Sequence, residues 1–332
     1  MADPRFLGAF LVPMVICLLL YPWYIRLMQR LSWGQEIRPD GPEDHLSKKG
    51  TPTTGGAIVL LSFLSVLAFT GTASAELRAV IAYTLANGFL GLADDWVQVA
   101  RKRSMGLKAR QKLMVQFVLG GLLVAFVHIH EGAHLWLPVL GWVAWPWVQA
   151  ALDLLILVAT GNAVNLTDGL DGLAGGTVAI ASLAFVPVCL ATGSLSAASH
   201  PELALACVAM AGACVGFLWY NCFPARIFMG DTGSLALGSF LAAVTIMTRS
   251  ELMLALVGGL FMVEALSVII QVGYFKYSKG KRVFRMAPIH HHFCKGGLHE
   301  VQVTTRSWIV CLLLAVVAVW SFLHGGFGHT GP

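Results

Sequence analysis

The run Phe6-Leu-Gly-Ala-Phe-Leu-Val-Pro-Met-Val-Ile-Cys-Leu-Leu-Leu-Tyr-Pro-Trp-Tyr-Ile-Arg-Leu27 carries a single charge, Arg26. As a helix it is long enough to cross the hydrocarbon layer of a bilayer. Runs like it recur along all 332 residues, with 57% hydrophobic and only 12% charged residues; the mean hydropathy is +0.74. An ordinary soluble domain of this length does not have that balance, so the chain reads as a polytopic membrane protein. The first run lacks a basic leader and a small-residue cleavage site, and therefore reads as the first span rather than a signal peptide. About ten spans are expected, near 6–28, 55–73, 77–97, 113–130, 146–163, 173–192, 203–221, 233–249, 251–275 and 305–324. The expected fold is all-α, a single membrane domain over 1–332, because no linker or low-complexity stretch divides the chain. An even number of spans puts both termini on one side.

The basic residues say which side. Alternating the loops places 19 of the 22 Lys and Arg on one face and leaves Arg5, Arg78 and Arg249 on the other. The crowded face is then cytoplasmic and both termini periplasmic. The net charge of +5 is thus concentrated. It serves orientation and contact with anionic membrane lipids, with a remainder suited to holding phosphates. No nucleic-acid partner is expected. The seven cysteines are scattered, odd in number and mostly inside spans, so they read as small buried apolar residues rather than disulfides or zinc ligands.

Against this apolar background five carboxylates stand out: Asp94, Asp95, Asp168, Asp171 and Asp231. Each lies at the end of an apolar run, on the face assigned to the cytoplasm. A carboxylate near a bilayer is costly unless it meets a cation, a cavity or a partner. Five gathered at one face suggest a Mg²⁺ site and a phosphorylated substrate. Asp94 and Asp95 are adjacent and cannot point the same way on a helix. One is expected to take a proton or bind a cation, the other to accept hydrogen bonds from a basic neighbour. Asn165, Asp168 and Asp171 recur every three residues, so a helical first turn would project them together; simple helix capping is the competing reading. Asn165-Leu-Thr is formally a glycosylation sequon, discarded on a cytoplasmic loop.

The remaining motifs lie on the same face. The loop Gly41 to Gly56 combines glycines with Lys48 and Lys49, a pairing that suits an anion, although a flexible loop would look similar. Asn221 to Ser234 places Asp231 between glycines that would leave room for a metal and a phosphate, and Phe228 offers a ring for a base. His290, His291 and His292 are adjacent, which is a poor arrangement for zinc; hydrogen bonds to phosphate or sugar oxygens fit better. Asp153 and Glu264, inside the fifth and ninth spans, read as paired structural polar groups.

Taken together, Gly41 to Gly56, Asp94-Asp95, Asn165-Leu-Thr-Asp-Gly-Leu-Asp171, Gly230-Asp231-Thr-Gly-Ser234 and Pro288-Ile-His-His-His-Phe293 resemble the signatures of the polyprenyl-phosphate N-acetylhexosamine-1-phosphate transferases. The unbroken triple histidine before Phe293 is similar to the phospho-N-acetylmuramoyl-pentapeptide transferase branch. The resemblance runs from about Tyr21 to Val319 and implies a ten-span, usually homodimeric enzyme of the bacterial inner membrane. It further implies transfer of phospho-MurNAc-pentapeptide from UDP-MurNAc-pentapeptide to undecaprenyl phosphate, giving lipid I and UMP, with Mg²⁺ as cofactor and nucleoside antibiotics as inhibitors.

By the same resemblance, Asp231 would ligate the metal, Asp94 would deprotonate or position the lipid phosphate, and Asp95 would belong to the catalytic group. Asn165, Asp168, Asp171, Asn221 and Phe228 would line the nucleoside and diphosphate site. His290, His291 and His292 would lie near the sugar or diphosphate, and Lys48, Thr53, Lys102 and Lys112 would hold phosphates. Direct attack by the lipid phosphate and a covalent route through an aspartate both remain open. Three positions depart from the family pattern: Gln98 where Lys is usual, Thr54 for Met, and Cys294 for Glu. A sister enzyme moving GlcNAc-1-phosphate and a secondary transporter with a carboxylate relay are the rival readings.

Overall fold

A computed structural model describes residues 3–34, 50–101, 106–131, 135–137, 141–191 and 200–324. Lys48 and Lys102, with most of the Gly41 to Gly56 loop, lie outside the described residues. The chain forms α1 (Pro4–Arg30), α2 (Gly56–Phe63, extended by a 3₁₀ turn Leu64–Ala68), α3 (Ala75–Arg101) and α4 (Ala109–Glu131). A two-stranded antiparallel hairpin follows, β1 (Leu135–Leu137) and β2 (Gly141–Val143), with Trp136 opposite Trp142. Then come α5 (Pro146–Thr167), α6 (Leu173–Leu190), α7 (Pro201–Asn221), α8 (Gly230–Met247), α9 (Glu251–Val257), α10 (Gly259–Tyr277), α11 (Ile289–Cys294) and α12 (Glu300–Leu323). Among the described residues, eight helices are long and apolar enough to cross a membrane. The chain is an all-α, multi-pass membrane protein carrying one small hairpin.

The periodicity of burial shows how the helices sit. On α1 the buried residues are Ala9, Pro13, Cys17, Tyr21, Ile25 and Met28. Their spacing of three to four makes one stripe, which packs on α7 while the rest of α1 faces outward. On α10 the buried stripe is Phe261, Glu264, Ser267 and Gln271. By contrast α8 is buried on every side from Thr232 to Met247. It packs against α2, α3, α5 and α6, and is the axis of the molecule.

The expected spans map onto these helices with three differences. The ninth, expected unbroken over 251–275, is two helices separated at Gly258. The second is shorter than expected, ending at Ala68. The third runs on to Arg101, so Asp94 and Asp95 sit inside a helix rather than at its end. The cysteines are all free, and only Cys222 is exposed.

Candidate active site

The site begins with a backbone approach. A Cβ built on Gly91 of α3 would lie 2.1 Å from the carbonyl oxygen of Asp231, so the two helices touch there with no side chain between them. One turn on, Asp94 and Asp95 reach the first turn of α8, and their side chains diverge. Asp95 turns to the helix end: its Oδ1 accepts from the Asp231 N–H at 3.0 Å, and its Oδ2 accepts from the Thr232 N–H at 3.0 Å and the Thr232 hydroxyl at 2.6 Å. The residue before α8, Met229, supplies no side-chain cap. A carboxylate from another helix satisfies the orphan donors and meets the positive end of the helix dipole. Gly230 has φ +73°, and a Cβ there would lie 2.5 Å from Asp95 Oδ2. Conformation and space therefore both restrict this position to glycine. The glycines beside Asp231 serve these close approaches, Gly233 lying against Gly56 of α2.

Asp94 faces the other way. Its Oδ2 accepts from Gln98 Nε2 at 2.6 Å and its Oδ1 from the Leu107 N–H at 2.7 Å. Lys112 Nζ stands 3.6 Å from Asp94 Oδ1 and donates to Asp231 Oδ2 at 2.6 Å. Asn165 Nδ2 donates to Asp231 Oδ1 at 2.8 Å, and also to Ser234 Oγ at 2.8 Å. One ammonium thus serves two carboxylates brought from α3 and α8. Asp94 is only 2% exposed, whereas the Asp231 side chain is 20% exposed, so Asp231 is the one open to a ligand. Gln98 is a neutral donor to Asp94, while Lys112 supplies the charge.

Asp168 lies in the turn after α5; its N–H closes that turn on the Val164 carbonyl at 3.1 Å, and its carboxylate makes no hydrogen bond among the described residues. Burial, reinforced by the carboxylates of Asp231, Asp95 and Asp171, pushes its acid up to about 8. Among the described residues no three His, Cys, Asp or Glu side chains converge as a metal cage. Two oxygen-bearing side chains sharing one cation, with a further bare carboxylate nearby, suit a Mg²⁺ ion that keeps waters and substrate phosphates as its other ligands.

The expectation that Asn165, Asp168 and Asp171 project together is corrected. Asn165 is in the last turn of α5, which ends at Thr167, and a turn intervenes before α6. Asp171 instead ties loops together. Its Oδ2 accepts from the Ala225 N–H at 2.9 Å, its own N–H donates to Glu300 at 2.7 Å, and its carbonyl accepts from Thr304. Asn221 bridges the same loops, accepting from the Gly172 N–H at 3.0 Å and donating to the Ile227 carbonyl at 2.9 Å.

Thr53 is buried, in a segment that pairs with 228–229. Phe228 N–H donates to the Pro52 carbonyl at 2.8 Å, and the Phe228 carbonyl accepts from the Gly55 N–H at 2.9 Å. Tyr21 anchors this segment through its hydroxyl to the Gly55 carbonyl, and Tyr24 bonds the Thr54 hydroxyl. Thr54 thus fastens the loop to α1.

The three histidines separate. His290 is buried and points at the Asp168 turn, with His291 against it at 4.2 Å between ring centroids. His292 turns away, its Nδ1 accepting from the Arg285 N–H at 3.1 Å. Asp153 is paired as expected, with Arg249, His128 and Gln149. Glu264 is paired too, and its partner is His290, a link to the site that sequence reasoning missed. A lone carboxylate inside an apolar span was the available signal.

Comparison with known proteins agrees with this geometry. Residues 77–249 match the family described as glycosyl transferase family 4. The chain is 43% identical over 330 residues to the phospho-N-acetylmuramoyl-pentapeptide-transferase of Desulfotalea psychrophila, covering 95% of this chain and 92% of the relative. The proteins of that name from Pelobacter propionicus and Syntrophus aciditrophicus are 43% and 41% identical, with the same coverage. The matched segment holds Asp94, Asp95, Lys112, Asn165, Asp168, Asp171, Asn221, Phe228 and Asp231, and the chain belongs to glycosyl transferase family 4, among the phospho-N-acetylmuramoyl-pentapeptide transferases.

Proposed function

We propose that this chain transfers phospho-MurNAc-pentapeptide from UDP-MurNAc-pentapeptide to undecaprenyl phosphate, releasing UMP and forming lipid I, in the first membrane step of peptidoglycan synthesis. The observation that carries the reading is identity above 40% to proteins of that name over nearly the whole chain. The concentration of basic residues supports a site on the cytoplasmic face of the inner membrane, with the polyprenyl tail held in the bilayer.

Two phosphorylated substrates meeting at one site bring several negative charges together, so charge neutralisation and alignment dominate the catalysis. Asp231, its side chain 20% exposed, would hold Mg²⁺, with Asp94 and Asp168 close by. When bound, the ion supplies neutralisation of the diphosphate and of departing UMP. Asp95 fixes the first turn of α8 and so aims Asp231. Asp94, held by Gln98 and the Leu107 N–H, is placed to direct the attacking lipid phosphate or take its proton. Lys112 would exchange its carboxylate partners for a substrate phosphate; Lys48, Thr53 and Lys102 would also hold phosphates. Asn165, Asp168 and Phe228 would line the nucleoside and diphosphate site, Asp171 and Asn221 fastening the loops that shape it; His290 and His291 would approach the sugar and diphosphate, and His292 orders the loop beside them. A homodimer and sensitivity to nucleoside antibiotics belong to the same reading.

The test is UMP release by detergent-purified protein given both substrates and Mg²⁺, with an EDTA control. Lipid-dependent, EDTA-sensitive release is expected. Release with UDP-GlcNAc in place of the pentapeptide substrate would move the protein to the sister branch, and silence with both would overturn the reading.

A further inference from the structure

Glu264 sits in the middle of α10, whose buried stripe is otherwise Phe261, Ser267 and Gln271 and whose other face is largely exposed. A carboxylate there is 1% exposed and has to be compensated. Its partner is His290: Glu264 Oε2 lies 3.0 Å from His290 Nδ1 and also accepts from the His290 backbone N–H at 3.4 Å. A carboxylate only accepts, so Nδ1 carries the hydrogen, and the imidazole is fixed in both orientation and tautomer.

The other ring nitrogen is the one left for chemistry. His290 Nε2 is buried and has no hydrogen-bond partner among the described residues. A Cβ built on Gly169 would lie 2.3 Å from it, so the ring is pressed against the turn that follows Asp168, and only glycine admits it. A buried polar atom without a partner is destabilising. That cost is relieved when an oxygen or hydroxyl of a bound ligand arrives. We propose that Glu264 is a positioning residue, holding His290 so that Nε2 is presented at the Asp168–Gly169 turn to a polar group of the nucleotide-sugar substrate. The inference rests on the transferase reading above and deepens it. It gives an intramembrane carboxylate a task at the site without contact with the substrate.

The experiment is a double-mutant cycle with a tautomer measurement. E264L, E264Q, H290Q and E264L/H290Q are purified, their thermal stability is recorded, and kcat and KM for UDP-MurNAc-pentapeptide are measured. Nitrogen-15 spectra of the ligand-free protein, with H290Q identifying the His290 signals, report which ring nitrogen is protonated. E264L is expected to lower kcat/KM by roughly 10- to 100-fold, the range found when an orienting partner of a functional histidine is removed. The double mutant should be no worse than H290Q alone. E264Q, whose amide oxygen still accepts from Nδ1–H, should recover most of the loss. In the spectra, the Nδ1–H form should dominate in the wild type and lose its preference in E264L.

Equal, multiplying losses in the cycle would overturn the proposal, because Glu264 would then act by another route. So would an E264L protein that is less stable but kinetically normal, or an H290Q protein with normal turnover. If the wild type released no UMP, the transferase reading would fail, while the tautomer result would still decide whether Glu264 sets the ring.

Discussion

The same three helices build a polar cluster at each of their ends, and the two clusters are unlike. At one end, α4 brings Lys112, α5 brings Asn165 and α8 brings Asp231. At the other, α4 brings His128, α5 brings Asp153 and Gln149, and the residue just past α8 is Arg249. In the second cluster Asp153 is fully buried, and both its oxygens are occupied: Oδ2 by His128 at 3.0 Å and Arg249 at 3.2 Å, Oδ1 by Gln149 at 2.8 Å. Gln149 also reaches Glu251 at 2.9 Å. Charge there is matched by rigid, multidentate donors. In the first cluster one flexible ammonium serves two carboxylates, Asp231 is partly open, and the Asp168 carboxylate has no hydrogen bond among the described residues. Buried charge that is fully partnered holds helices in register, whereas buried charge left short of cations is ready to receive one.

That contrast is easiest to break at Asp231. D231N should reduce UMP release by at least about 10³-fold, because it removes the open carboxylate at the point of greatest negative charge. The protein should keep its elution profile and thermal stability; near-normal turnover in Mg²⁺ would end the metal assignment. K112M should cost about 100-fold in kcat/KM, roughly the loss of one charged contact to a phosphate in the transition state. If Lys112 acts only on the carboxylates, added Mg²⁺ would restore the rate, and a persistent rise in KM would mark it as a phosphate contact.

At the opposite end, D153A should act on stability instead. Taking away the carboxylate shared by His128 and Arg249 should destabilise the protein by about 3 kcal/mol, read as a lowered Tm. The kcat of the folded fraction should be unchanged, and a catalytic defect at full stability would erase the distinction between the two ends. The smallest effect expected concerns pH. Asp168, pushed up to about 8, is mostly protonated and neutral at pH 7 without metal. Its affinity for a cation grows as pH rises towards that value and levels off above it, so half-saturation by Mg²⁺ should shift by up to about tenfold between pH 7 and 9. D168N should flatten that slope.

The helices were legible from sequence because bilayer thickness imposes a length that apolar runs must meet, and the loop charges add a direction. The gathering of carboxylates was legible for a related reason, since charge at the edge of an apolar run has few uses. Side-chain direction was not. Whether Asp94 or Asp95 faces the site depends on where α3 meets α8, which Gly91 decides through a contact with residue 231. Asp171 and Asn221 bear the same chemistry as the open residues, yet they fasten loops, because Ala225, Gly172 and Glu300 lie beside them only in the folded chain. The break at Gly258 was hidden by hydropathy that continues across it. Glu264 read as structural because its partner, His290, is 26 residues away.

The cap that Asp95 places on α8 has a consequence for how the protein is made. Asp95 and Asp231 are 136 positions apart, so the ribosome delivers the third helix long before the eighth. Until then Asp95 has no helix end to bind, and Asp94 lacks its neighbour across Lys112. A chain that stops short of Gly230 therefore carries Asp95 in α3 without its Asp231 and Thr232 donors, and the docking of a single helix turn supplies all three while it brings Asp231 to the site.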